Sequence, residues 1–237
     1  MLINPQELSQ NLDRLEEIEK VSLRLVTHAI YDYRILAQEI FRAESDLVAD
    51  IGEDITREAV ERLGMSKIDQ RLFGKVDYKR ACYLFQPDYA LKQALFVDSK
   101  AEKVSGQGTA TLQISQLSMV VRQIRFESDV EVAGKLPTIL TLKGESYLTT
   151  THFVKYNYEE QDNTNLVKSI TIAAVPNGML QDRYNPSTHD TIWIAGRNAP
   201  TLGEEFRVRL SFSRLKQKAK WRVQKISLLP DEFHWDA

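Results

Sequence analysis

The spacing of apolar residues changes once along this chain, and that change limits the folds open to it. Up to about residue 64 apolar side chains recur every three or four positions, and from Phe73 onward they alternate. A period near 3.6 belongs to helices lying on a core, and a period of two to strands with one buried face. Asn4-Pro5 supply a cap and a first-turn proline, after which Leu15, Ile18, Val21, Leu25 and Ala29 predict a helix running to about Ala43. A second helix is predicted from Asp46 to Leu63, with Gly64 as its stop. GKVDYKRACYLF, a turn at Gln86-Pro87-Asp88 and QALFVDSK then predict an antiparallel hairpin. TILTLKGESYLTTTHFVKYNY, VKSITIAAVP, FRVRLSF and WRVQKISLL predict further strands, and SRLKQKA a short helix. ATLQISQLSMVV fits helix or strand, and QDRYNPSTHDTIWIAGRNAPTLG reads as a long loop. The expectation is an α+β chain forming one domain over 1–237. Residues 1–64 form a helical part with long N-terminal helices, and 73–229 a mixed-sheet core flanked by helices.

Several function classes drop out. An apolar fraction of 43% and a charged fraction of 27% describe a soluble globular chain, and no apolar run approaches the ~18 residues of a membrane span. The start, MLINPQELSQ, has no secretory pattern, and the lone cysteine, Cys82, fits a reducing cytosol as a buried small hydrophobe. A cytoplasmic location is expected, with no membrane partner. His28, His152, His189 and His234 are dispersed, without HExxH or CxxC spacing, so zinc chemistry is not expected. Neither GxGxxG nor GxxxxGK[ST] occurs, which argues against a nucleotide cradle. The net charge of −2 is unevenly spread: residues 1–64 carry 14 acidic and 7 basic side chains, whereas 207–225 carry eight basic and no acidic ones. A basic face of that kind suits a polyanion.

The stretch ALFVDSK carries the chemistry. Residues two apart on a strand share a face, so Asp98 and Lys100 lie together while Ser99 points away. Asp77 stands 21 residues earlier on the expected partner strand, close enough in such a hairpin to join Asp98. Two carboxylates suit oxygen-preferring Mg²⁺, to which Ser99 offers a backbone carbonyl. Phosphodiester hydrolysis needs a polarised phosphoryl group, an activated water and positive charge for the developing anion. An ordinary surface pair of Asp98 with Lys100 remains open at this point, because D-x-K recurs at Asp77-Tyr78-Lys79. Pro87-Asp88 also spells the first two letters of a nuclease motif, but Pro87 belongs to the turn, which favours Asp77.

DYKR, FVDSKA, TLQISQLSM, RYNP and SRLKQKAKWR, in this order and spacing, resemble the SfiI-like type II restriction endonucleases of the PD-(D/E)xK superfamily. The resemblance runs from the first helix to about Leu229. It implies a restriction-endonuclease-like core, Mg²⁺-dependent cleavage of double-stranded DNA, and Asp77, Asp98 and Lys100 as the catalytic set, with both aspartates on the metal. It implies a homo-oligomer reading a palindrome interrupted like GGCC and GGCC around five unread pairs. The chain ends soon after Trp235, without the family's C-terminal extension, so homodimer and homotetramer both stay open. A structure-selective DNA repair nuclease and a non-cleaving DNA-binding protein of the same fold are the alternatives, the latter disfavoured by the intact catalytic set.

The same resemblance gives meaning to other positions. Glu53, beside Asp54, is either a helical acidic residue near the metal or charge favoured at a helix N-terminus. Arg207 and Arg209 share a strand face and suit bidentate guanine contacts, with Arg197 a further candidate. Lys216, Lys218, Lys220 and Arg222 extend the basic stretch toward phosphates. Gln113 and Gln116 either touch DNA or cap a turn, while Phe153, Tyr156 and Tyr158 fit core and interface.

Overall fold

The first helical unit begins twice. Asn4 caps a 3₁₀ turn, Pro5–Gln10, and Asn11 then caps α1, Leu12–Ala43, by accepting from the Arg14 amide at 3.1 Å. The structure is a computed structural model that describes residues 3–44, 48–64, 66–67, 81–86, 91–106, 108–195 and 207–237. The buried stripe of α1 runs through Leu15, Ile18, Leu23, Val26, Ile30, Tyr33, Ala37 and Phe41. The expected Val21 and Leu25 are only half-buried. The two three-residue steps from Leu15 each lag a 3.6-residue turn by about 60°, which carries Val21 off the buried face. α2, Val48–Glu61, buries Ile51, Ile55, Ala59 and Val60, and Gly64 follows in the left-handed region at φ 69°.

Thirteen strands are described. They are β1 (Ser66–Lys67), β2 (Ala81–Gln86), β3 (Leu91–Lys103), β4 (Thr109–Gln113), β5 (Val120–Arg125), β6 (Ser128–Ala133) and β7 (Ile139–Leu142). After them come β8 (Glu145–Gln161), β9 (Thr164–Val175), β10 (Trp193–Ile194), β11 (Arg207–Ser211), β12 (Val223–Leu228) and β13 (Asp231–Glu232). The central sheet has the order β1-β2-β3-β8-β9-β12-β13, with β7 also paired to β8. β2 and β3 form the expected antiparallel pair, whereas β3 and β8 run parallel from Gln93↔Leu148 to Lys103↔Tyr158. The parallel step needs a crossover, supplied by the chain from β4 to β7. β8 turns into β9 through Asp162-Asn163, both at positive φ, as a two-residue hairpin of right-handed strands requires.

Helices α1 and α2 cover one face of this sheet through Leu95, Val97, Val154, Tyr156, Ile170 and Ile172. A second sheet, β10-β11-β4, covers part of the other face, where Leu112, Val208 and Leu210 meet Leu148, Phe153 and Ala173. Phe153 and Tyr156 are therefore core. The ambiguous ATLQISQLSMVV resolves into β4, a 3₁₀ turn at Ile114–Gln116 and the start of β5. α4, Phe212–Lys218, is the predicted short helix, and the described part of the long loop holds a single turn of helix, α3 (Gln181–Tyr184), and β10. No helix among the described residues is long and apolar enough to cross a membrane.

One member of the basic stretch belongs to the interior. Arg222 is fully buried and donates to Glu19 at 2.7 Å and to Glu16 at 3.3 Å, with its guanidinium 4.3 Å from the Tyr184 ring centre. It pins the start of α1 to the β12 end of the sheet and cannot reach a phosphate.

His152, on β8, is buried against α1, and burial pushes its imidazole down to about 4, with the Arg222 charge acting in the same direction. A histidine neutral in the fold and titrating at 6.5 when unfolded stabilises fully above that pH. Its stability contribution falls by about 1.4 kcal/mol per pH unit as pH drops from 6.5 toward 4. Urea unfolding at pH 7 and pH 5 should show His152→Gln losing about 2 kcal/mol less than wild type over that interval.

Candidate active site

β3 is a strand with two separate duties. Its odd residues Leu95, Val97 and Ser99 face the helices, and its even residues Asp98 and Lys100 face the other way. Ser99 is completely buried and donates to the Gly52 carbonyl of α2 at 2.8 Å. The Thr56 hydroxyl lies 2.9 Å from Ser99 Oγ and 3.1 Å from the Tyr156 hydroxyl. A relay from Tyr156 to Thr56 to Ser99 to the Gly52 carbonyl uses each of these protons once. Gly52 permits the close approach: a Cβ there would stand 3.2 Å from the Tyr156 ring and 3.3 Å from the Ala101 amide nitrogen. Helix α2 is thus bolted to the back of the strand that presents Asp98.

On the front, Lys100 Nζ stands 3.6 Å from Asp98 Oδ2, with the lysine side chain 44% exposed and the aspartate 18%. The distance makes an ion pair without a hydrogen bond. Asp98 Oδ2 is buried, and among the described residues it has no hydrogen-bond donor. A buried carboxylate oxygen without a donor is costly unless a cation supplies the missing partner. The oxygen therefore fits a hard divalent ion. The described residues hold no cluster of three or more His, Cys, Asp or Glu that could hold a metal ion. Asp77 lies outside the described residues, as do Asp88 and Arg197.

The remaining predicted positions divide. Glu53 is half-buried on α2, the helix packed on the Ser99 side of β3, away from the face that carries Asp98 and Lys100. Arg207 and Arg209 are half-buried on β11, paired with Gln113 and Thr111 of β4, while Val208 and Leu210 between them fill the core. Arg209 lines an open cleft with Glu102, Thr109, Thr111 and Tyr158. Glu102 shares a β3 face with Asp98 and Lys100, so this cleft joins the carboxylate strand to the arginine strand. Lys218 pairs with Asp190 at 2.5 Å and Lys216 with Asp236, while Lys220 is exposed on the turn before β12. Arg214 donates to the Thr191 and Trp193 carbonyls, so much of the basic stretch is engaged within the chain. Gln116 Oε1 accepts from the Gln113 amide at 2.8 Å, the capping arrangement.

Sequence reasoning passed over Lys155. Its ammonium is buried on β8 and donates to the Gly106 carbonyl at 2.7 Å and the Thr109 carbonyl at 2.5 Å, and it pairs with Glu102. The signal was a lysine inside the apolar run HFVKY, a position few lysines occupy unpaired.

Comparison with known proteins follows this geometry. The family described as type II restriction enzyme SfiI matches residues 33–226. The type II restriction enzyme SfiI of Streptomyces fimbriatus is 35% identical over 242 aligned residues, covering 95% of this chain and 88% of that protein. The crystal structure of tetrameric SfiI bound to cognate DNA superposes with a TM-score of 0.81 at 33% identity, over 96% of this chain and 88% of that one. The restriction endonuclease BglI bound to its DNA recognition sequence shares the fold, with a TM-score of 0.74 at 18% identity over 95% of this chain and 94% of that one.

The hydroxyl relay gives a stability test. Ser99→Ala removes its middle member and should cost about 1–3 kcal/mol in urea unfolding. Hydrogen exchange should quicken first in α2 and the 97–101 segment of β3.

Proposed function

Because the chain belongs to the SfiI family of type II restriction enzymes, we propose that it hydrolyses both strands of DNA at a palindromic site in a Mg²⁺-dependent reaction. The observation that carries this reading is the buried Asp98 Oδ2, without a donor among the described residues and 3.6 Å from Lys100 Nζ. Asp98 and Asp77 would hold the ion. When bound, it supplies a Lewis acid for the phosphoryl oxygen and lowers the proton affinity of a coordinated water. Asp98 supplies the fixed negative charge that the site needs. Lys100, exposed enough to meet a phosphate, neutralises charge developing on the attacked group and orients the water against it.

The strand register favours Asp77 over Asp88 as the second ligand. Ala81 pairs with Phe96, two residues before Asp98, and Asp77 stands four residues before Ala81, a reach of up to roughly 13 Å. Asp88 instead follows Gln86, which pairs with Leu91, seven residues and roughly 23 Å along the strand from Asp98. Glu53, on α2 behind β3, bears on the site only through the packing of that helix on Ser99. Arg207 and Arg209 read guanines in the major groove and Arg197 adds a loop contact, while Lys218 and Lys220 hold phosphates.

A chain with one Asp98–Lys100 pair cuts one strand at a time, so cleavage of both strands at a palindrome takes at least two copies. The tetrameric, DNA-bound state of the SfiI relative supports a homo-oligomer here, dimer or tetramer. Its similarity also supports an interrupted target of the GGCC, five unread pairs, GGCC kind. The direct experiment is digestion of plasmid DNA by the purified protein with Mg²⁺, with the ends mapped. Discrete ends at one palindromic sequence support the reading, and intact plasmid at all divalent ions contradicts it.

Asp98→Ala and Asp77→Ala should each abolish cleavage while metal-free DNA binding persists. Lys100→Ala should lose 10²–10³-fold in kcat, about 3–4 kcal/mol, with little change in affinity. Asp88→Ala should cut normally. Full activity in Asp77→Ala would transfer the ligand role elsewhere, and Glu53→Gln in the same assay measures the α2 contribution.

Base and phosphate contacts separate in a second set of variants. Arg207→Ala or Arg209→Ala should cost about 1–3 kcal/mol on the cognate duplex and relax choice at one base pair. Lys220→Ala should weaken all duplexes alike and reduce the slope of log K against log salt by about one. Lys218→Ala should do the same by a smaller amount, because Lys218 is already paired with Asp190. Binding isotherms at several salt concentrations check both.

A further inference from the structure

The loop that leads from the catalytic strand to the base-reading strands is tied down at one buried point. Lys155 has three ammonium protons and three acceptors: the Gly106 carbonyl, the Thr109 carbonyl and the Glu102 carboxylate. Its side chain is 3% exposed, so nothing is left for solvent. The three acceptors belong to different parts of the structure. Glu102 is on β3, four residues beyond Asp98 on the same face. Gly106 ends the 3₁₀ turn that follows β3, and Thr109 opens β4 and pairs with Ser211 of β11.

Glu102 lies against the bare backbone of Gly106, where a Cβ would collide with its carboxylate oxygen. Its side chain is 54% exposed, and Glu102 and Arg209 line the same cleft. Burial pushes the Lys155 ammonium below its ordinary range, Glu102 opposes that, and the Arg209 charge adds to it. The charges of Lys155 and Arg209 therefore bear on each other, one belonging to the sheet core and the other to the face proposed to read DNA.

We propose that Lys155 is a positioning residue that transmits the placement of Arg209 on DNA to Asp98 and Lys100, with Glu102 as the link. This rests on the nuclease reading above and deepens it. Lys155 touches neither the phosphate nor the metal. It fixes the β3-to-β4 connection so that β11 and β4 cannot settle against a duplex without setting β3. Arg209 pairs with Thr111 of β4, so an Arg209 seated on a correct base sets β4 and, through Thr109, Lys155 and Glu102, holds β3 in register with the scissile phosphate. An Arg209 without its base leaves β4 unset and loosens that hold. Discrimination between sequences then appears in the rate of cleavage as well as in binding.

The test compares wild type, Lys155→Met and Gly106→Ala on the duplex identified by plasmid mapping and on one changed at a single recognised base pair. Methionine keeps the length and the apolar stem of the lysine, and Gly106→Ala displaces only the flexible end of Glu102. Single-turnover rates with Mg²⁺ and binding without metal are both measured. The expected result is a loss of about tenfold in the cognate-to-altered rate ratio for Lys155→Met. That loss should come from slower cognate cleavage, with metal-free affinities within about threefold of wild type. Gly106→Ala should shift the ratio in the same direction by a smaller factor. A ratio unchanged in both variants would show Lys155 to be a structural tie only and overturn the proposal. Should Lys155→Met fail to fold, Gly106→Ala decides alone, and an unchanged ratio there overturns it. A wild-type protein that cuts no DNA fails the nuclease reading itself, a result distinct from active variants that keep full discrimination.

Discussion

The structure depends on β3 being committed on both faces at once. On the back, Ser99 is held by the Gly52 carbonyl and Thr56, in a helix interface tight enough to require glycine. On the front, Asp98 and Lys100 stand on either side of that serine and cannot turn inward, since a one-residue slip would bury both charges under α2. The parallel pairing with β8 from Gln93 to Lys103 removes the remaining freedom. A carboxylate held this way cannot relax toward solvent, which is how its Oδ2 comes to be buried without a donor among the described residues. Stability generated on one face is used to hold on the other a carboxylate oxygen that has no hydrogen-bond donor among the described residues.

The buried polar groups divide along the same line. Arg222, Lys155 and Ser99 are deeply buried and hydrogen-bonded, and each joins elements far apart in sequence. Breaking such groups leaves an unpaired charge or hydroxyl, so they fix which arrangement of elements is allowed. Asp98 differs because its shortfall is local and faces outward.

Much of this was legible in the chain because it rests on local periodicity. The change from a 3.6 to a 2.0 period divided helices from sheet, and Gly64 ended α2 as expected. Period two also placed Asp98, Ser99 and Lys100 on their correct faces and set Arg207 and Arg209 beside each other. Partners distant in sequence were not legible. Arg222 sits in a run of basic residues that reads as a DNA-facing surface, and only Glu16 and Glu19, some two hundred residues earlier, make it a core residue. Lys216 and Lys218 looked equally free until Asp236 and Asp190 folded against them. Lys155 is the reverse case, a residue read as part of a strand and found to organise the β3-to-β4 connection. The start of α1 was displaced because Asn4-Pro5 open a 3₁₀ turn and Asn11 caps the α-helix after it, its side chain accepting from the Arg14 amide.

The most direct measurement is anomalous diffraction from crystals of the protein with its duplex in Mn²⁺, which binds the oxygen ligands of Mg²⁺ sites. A manganese peak within coordination distance, about 2.0–2.2 Å, of Asp98 Oδ2 and shared with Asp77 is the expected result. Manganese bound away from Asp98, or held on the α2 side by Glu53 with Asp98 left unligated, would contradict the central claim that this carboxylate is the metal ligand.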